Sequence, residues 1–236
     1  LPLNMQNALA RAWIWLDDAA GKPERRQWTT RLARFLKNRL RTTDDGAYVW
    51  AYRTPLDGPG DGFEDISHAA INVDFMVLCA ERQIVFTPDD LARIEKTLLK
   101  KVLPDDGPVA DTIGGSPRTN KYSAAIARWG GLARHSDAVR DRLVKLVLSG
   151  KFKGEAAEPL GIAYLVSALP PDLRYKDRLL AALAADIPGI LKTFDAASGR
   201  FGEGIWTCND QHAMYPMAVA YRTEGNPYYR DAKILD

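Results

Sequence analysis

Apolar residues recur every three to four positions along most of this chain, and that spacing leaves room for little except helices. It predicts helices near 5–20, 24–41, 66–82, 88–102, 121–133, 137–149, 157–169, 173–193 and 210–222. The boundary residues agree. Asp65, Asn120 and Asn209 or Asp210 are suited to cap helix starts, Pro23, Pro88 and Pro159 fall early in helices, and Gly21 and Gly150 sit just past helix ends. Evidence for strands is thin, since GAYVWAY at 46–52 is the only alternating aromatic run. The expected fold class is all-α.

The predicted helices fall into two kinds. The second, fourth, sixth and eighth are rich in Arg, Lys, Asp and Glu, whereas the first, third, fifth, seventh and ninth carry Ala, Gly, Ile, Met and Trp on most faces. A helix that is apolar nearly all round is a buried one. Alternation of the two kinds implies stacked helical hairpins, with the bland helices forming an inner wall. Their starts share a loose pattern: NMQNALA at 4, DISHAAI at 65, NKYSAAI at 120, EPLGIAY at 158 and NDQHAMY at 209. The intervals are irregular, so a strict solenoid is not expected. The irregularity lies in long loops at 41–64, 103–119 and 194–208, and long loops in a compact fold are more often functional than incidental.

The fourth letter of each start is Asn7, His68, Ser123, Gly161 or His212. If the hairpins curve about an axis, these positions gather at one rim, beside helix N-termini whose partial positive charge favours anions. Asn72 lies one turn below His68 and is expected to hold its ring by a hydrogen bond. Capping explains Asp65, Asn120 and Asn209 as well as any ligand does. It explains His68 and His212 less well, because histidine is not a preferred residue there.

Composition narrows the function classes. The 236 residues, 46% hydrophobic and 26% charged, suit a single unit over 1–236. Mean hydropathy is −0.26 and no apolar run approaches the roughly 18 residues of a membrane span. Net charge is only +2, so nucleic acid is not an expected partner, and the cationic run RRQWTTRLARFLKNRLRTT reads as an amphipathic surface helix. The two cysteines, Cys79 and Cys208, lack zinc spacing and read as unpaired thiols more readily than as a disulfide. HExxH, His-x-His and a cysteine set are absent, so a catalytic metal is not expected, while a structural calcium ion stays open; no cofactor is expected. The opening LPLNMQNALARAW lacks the order of a secretory leader. Oligomeric state is left open.

YVWAY followed by GFEDISHAAINVDF, and then SPRTNKYSAAIARW, resembles α/α-toroid polysaccharide lyases that cleave uronic-acid polymers such as alginate and glucuronan. The resemblance covers about 40–236 and implies an α/α toroid acting on an acidic polysaccharide by β-elimination, without a redox cofactor, in the periplasm or outside the cell. A full toroid has six or seven hairpins and about four and a half are counted here, which fits an N-terminally shortened member or an open horseshoe. In such enzymes a tyrosine and a histidine handle the protons, while Asn, Arg, Glu or His groups hold the C5 carboxylate. On this chain the catalytic candidates are Tyr122 and His68, with Asn120 and Arg118 on the carboxylate. Asn7, Glu64, Lys121 and His212 are expected at the substrate, and Trp50, Tyr52 and Trp206 as stacking platforms from the loops. Three rivals stay open. A glycoside hydrolase on the same toroid would draw two carboxylates from Glu64, Asp65, Glu158, Glu203 and Asp210. A uronate C5-epimerase would share the proton abstraction. A non-enzymatic helical scaffold would bind a protein or peptide.

Overall fold

The computed structural model describes residues 2–55, 58, 60–105, 107–119, 121–151, 158–168, 175–202 and 211–234. These are mostly helical: α1 (Leu3–Ala20), α2 (Arg26–Lys37), α3 (Ile66–Glu81), α4 (Pro88–Lys96), α5 (Asp137–Leu148), α6 (Glu158–Ala168), α7 (Lys176–Leu191) and α8 (Met214–Arg222). The fifth expected helix forms as well, but as a 3-10 helix over Ser123–Arg134. Two short antiparallel pairs complete the description, β1 (Arg41–Thr42) with β2 (Tyr48–Val49) and β3 (Phe194–Asp195) with β4 (Arg200–Phe201). The second hairpin was not expected. Only two residues on each side pair, too short for an alternating pattern to stand out.

Helix ends follow local chemistry. Asp65 caps α3, accepting from the backbone amides of Ser67 and His68. Thr87 and Asp90 form a reciprocal capping box at α4, with Pro88 in the first turn, where its missing N–H costs nothing. Gly21 closes α1 at φ 63°, a left-handed conformation that a side chain would strain. Past α4 the chain widens into one π-helical stretch, Thr97–Val102.

The bland helices are neighbours of one another. α1 packs on α3, α3 on the 3-10 helix, the 3-10 helix on α6, and α6 on α8; α2, α4, α5 and α7 each pack on the helix that precedes or follows them in the hairpin. The core between them includes Leu3, Leu36, Ile66, Phe75, Met76, Trp129 and Leu183, all essentially removed from solvent. Trp129 also donates its indole N–H to the Ile66 carbonyl at 3.1 Å, joining the 3-10 helix to the start of α3. The 3-10 helix and α6 meet through glycines. A Cβ on Gly161 would lie 2.4 Å from the Ala127 Cβ, and one on Gly130 would lie 2.7 Å from the Tyr164 Cβ. Cys79 is buried and unpaired, its thiol pushed up to about 12 by burial, while Cys208 lies outside the described residues. No described helix is long and apolar enough to cross a membrane.

Candidate active site

The start of α3 and the 109–122 segment are sewn together by backbone. The Ile66 amide donates to the Asp111 carbonyl at 3.0 Å, the Ile113 amide donates to the Glu64 carbonyl at 3.0 Å, and Asp65 bridges Thr112. The Asp111 carboxylate then shapes the turn that follows. It accepts from the amides of Thr119 and Lys121, each at 3.2 Å, and from the Thr119 hydroxyl. The segment that carries Lys121 and Tyr122 is therefore set down beside the mouth of α3.

At that mouth Asp65 uses its two oxygens separately. Oδ1 caps the helix at 3.0 Å from both the Ser67 and His68 amides, and Oδ2 lies 2.5 Å from the His68 Nδ1. The imidazole is 41% exposed and stacks on Tyr52, with centroids 4.8 Å apart and planes tilted by 31°. Across from it, the Lys121 ammonium sits 5.0 Å from the Tyr122 ring centre. Its pKa is raised, first by a hydrogen bond and charge interaction with the Tyr122 hydroxyl, then by Asp111 and Asp65. The influence of Asp65 on Lys121 ties the two halves electrostatically. One exposed aromatic joins them. Phe63 is 48% exposed, and its ring lies on Gly114 so closely that a Cβ there would fall 2.3 Å from it. The Arg41 guanidinium lies over the other part of that ring, 5.4 Å from its centre.

Several expected residues have other occupations. Trp50 is completely buried and donates its indole N–H to Glu64, so it is a core residue rather than a stacking platform. Glu64 is also fully buried; its Oε2 accepts from Asn72 at 2.6 Å as well. Burial pushes its carboxyl up to about 8, against the pull of the Trp50 and Asn72 donors. Asn72 in turn accepts from Asn7 at 2.7 Å, so it serves this buried chain and not the His68 ring. Asn7 is 2% exposed and does not reach the rim. Arg118 donates to the carbonyls of Lys101, at 2.7 Å, and Pro108, which makes it a clamp on its own loop rather than a carboxylate holder. Asn120 and Trp206 lie outside the described residues.

His212 belongs to a second, deeper cluster. It lines a narrow cleft with Arg11, Asp74, Arg128 and Tyr164, which come from different bland helices. Arg11 pairs with Asp74 at 2.6 Å, and the Tyr164 hydroxyl donates to Asp74 at 2.9 Å. Burial opposes the Arg11 charge, yet Asp74 and Tyr164 more than offset this and hold its pKa up. Burial first, and then the charges of Arg128 and Arg11, push the His212 imidazole down to about 4, so it is neutral near pH 7.

Sequence reasoning missed three contributors. Phe63 passed as part of a loop motif, and Asp111 stood in no recognisable pattern. Asp65 was taken for a cap or a hydrolase carboxylate, not for a partner of His68, although an acid three residues before a histidine on a helix is within reach of its ring. Among the described residues no group of three or more His, Cys, Asp or Glu is arranged to hold a metal ion. The start of α3 and the 109–122 segment offer an imidazole paired with a carboxylate, a tyrosine hydroxyl, an ammonium and one exposed aromatic ring, groups able to move protons and hold an anion. No family model matches the chain, and neither a curated protein nor a solved structure matches it.

Proposed function

We propose that this chain is a polysaccharide lyase that cleaves a uronic-acid polymer by β-elimination, its bland helices forming the inner wall of an α/α toroid. The observation that carries the reading is that Asp65, which pairs with His68, also acts electrostatically on Lys121, which pairs with Tyr122 on a segment bonded by backbone to the start of α3. In the reaction a base removes the weakly acidic C5 proton, the C4–O bond breaks, a C4=C5 double bond forms, and the departing oxygen takes a proton. His68 Nε2 is the nitrogen free to accept the C5 proton, because Nδ1 is engaged by Asp65. The Tyr122 hydroxyl returns a proton to the leaving oxygen. Lys121 offsets the C5 carboxylate, whose charge grows as the enediolate develops; a well-placed donor of this sort is worth roughly 3–4 kcal/mol. Tyr52 and Phe63 supply faces for sugar rings.

The glycoside hydrolase reading is weaker. It needs two available carboxyl groups, and Glu64 is buried, Asp65 has both oxygens engaged and Glu158 is 6% exposed. Glu203 and Asp210 lie outside the described residues. The test is incubation with a panel of acidic polysaccharides while near-ultraviolet absorbance is followed. Elimination creates an absorbing double bond, and hydrolysis, epimerisation or simple binding does not. His68→Ala and Tyr122→Phe should each lower the rate by ~10²-fold or more. No absorbance change on any uronate polymer overturns the reading.

A further inference from the structure

We infer that Asp65 is a positioning residue that fixes which nitrogen of His68 carries the proton, one carboxylate oxygen serving the helix and the other the imidazole. This deepens the lyase reading and takes its catalytic meaning from it, but the tautomer itself can be tested without turnover.

The argument starts from what each atom can do. Oδ1 is occupied by two backbone amides at 3.0 Å, the arrangement that any capping Asp, Asn or Ser provides. Oδ2 has a different partner, the His68 Nδ1 at 2.5 Å. An ionised carboxylate only accepts, so Nδ1 must be the donor. A neutral histidine left to itself favours the proton on Nε2. Here the proton is held on Nδ1, and the lone pair is left on Nε2. The Tyr52 ring, stacked 4.8 Å away, restricts the rotation that would exchange the two nitrogens. Asp65 is itself fixed by its bridge to Thr112 and by the Ile66 amide bound to the Asp111 carbonyl, so the carboxylate does not follow the imidazole if it turns. The outcome is a base presented in its less common tautomer, which is how a second residue orients a working histidine.

Capping and orienting are separable by substitution. Asp65→Ser keeps a capping oxygen but is too short to reach Nδ1. Asp65→Asn keeps the cap and replaces Oδ2 by an amide NH₂, a donor that Nδ1–H cannot pair with. The measurement is long-range ¹⁵N–¹H correlation on uniformly labelled protein, at a pH where imidazoles are neutral. The chain has three histidines, and the His68 signals are assigned by their loss in His68→Gln. The parent should show Nδ1 protonated and Nε2 bare. Both Asp65 variants should invert that majority, with turnover falling by ~10²-fold or more at little change in KM. A parent already protonated on Nε2, or variants with an unchanged tautomer, overturns the inference. If the tautomer inverts as expected while the parent eliminates nothing from any uronate polymer, the assignment of Asp65 stands and the lyase reading falls.

Discussion

Replacing Gly161 by Ala places one methyl group where two helices touch, and the structure allows its cost to be worked out. The added Cβ would lie 2.4 Å from the Ala127 Cβ, 2.8 Å from the Ala127 carbonyl oxygen and 2.9 Å from the Ala127 Cα. Two of those three atoms are backbone, so no side-chain rotation relieves the contact. The helices must separate by roughly 1 Å, and overpacking of this kind costs about 1–3 kcal/mol. Separation also loosens the neighbouring contact of Gly130 on Tyr164, whose hydroxyl holds Asp74. Against this, alanine is favoured over glycine inside a helix by about 1 kcal/mol. The net expectation is destabilisation of about 0–2 kcal/mol, read as a lower midpoint in urea unfolding and a drop in Tm of up to roughly 8 °C for a chain of this size. Gly189→Ala in α7 is the matched control, because a Cβ there meets nothing within 4 Å. It should leave stability unchanged or raise it by up to about 1 kcal/mol. If Gly161→Ala proves as stable as Gly189→Ala, the helices do not approach at this point and the packing of the 3-10 helix on α6 described above is wrong.

Three further outcomes follow from the electrostatics and the loop. Glu64 has an ordinary value of 4.5 and a folded value of about 8, so between those pH values the folded state holds a proton that the unfolded chain has lost. Stability must fall as pH rises through that window, by a few kcal/mol in order of magnitude. His212, pushed down from 6.5 to about 4, has the opposite slope, its unfolded form binding the extra proton between those values. The two oppose each other up to about pH 6.5. Urea unfolding at half-unit steps should therefore show a clear decline only from about pH 6.5 to 8, and Glu64→Gln should abolish it; a decline unchanged in that variant refutes the assignment. In the loop, Arg118→Ala removes two bonds to backbone carbonyls and should cost about 1–3 kcal/mol of stability with KM intact. Lys121→Ala should do the reverse, lowering kcat on an acidic polymer by ~10²–10³-fold and raising KM, with little effect on unfolding.

Much of the fold was legible because helix signals are local. A capping Asp65, a Pro88 in a first turn and a left-handed Gly21 act within a few residues, so their effect can be read in order along the chain. The alternation of bland and charged helices likewise anticipated which helices pack together. What depends on distant partners was not legible. Periodicity puts Asn72 on the same side of α3 as His68, but nothing local reveals that Asn7 of α1 and Glu64 take up its amide. Trp50 lies in a loop-like stretch, and its complete burial is decided by Glu64 fourteen positions away. Arg118 offered the charge expected of a carboxylate holder, yet two backbone carbonyls, of Lys101 and Pro108, captured it. For the candidate site, His68, Tyr52, Lys121 and Tyr122 were picked out because their residue types suggested chemistry. Asp111 and Phe63 matter through placement and were passed over.

The 3-10 winding of Ser123–Arg134 has a mechanical consequence. A 3-10 helix rises about 2.0 Å per residue against 1.5 Å for an α-helix, so twelve residues reach roughly 6 Å further than they would in the commoner form. At one end stands Tyr122; at the other, Arg134 grips Glu81 at 2.8 Å. Rewinding the segment as an α-helix would draw these ends together by more than a full turn's rise and swing Arg134 to another side. The stretched winding thus acts as a strut whose length sets how far Tyr122 stands from the Arg134–Glu81 pair.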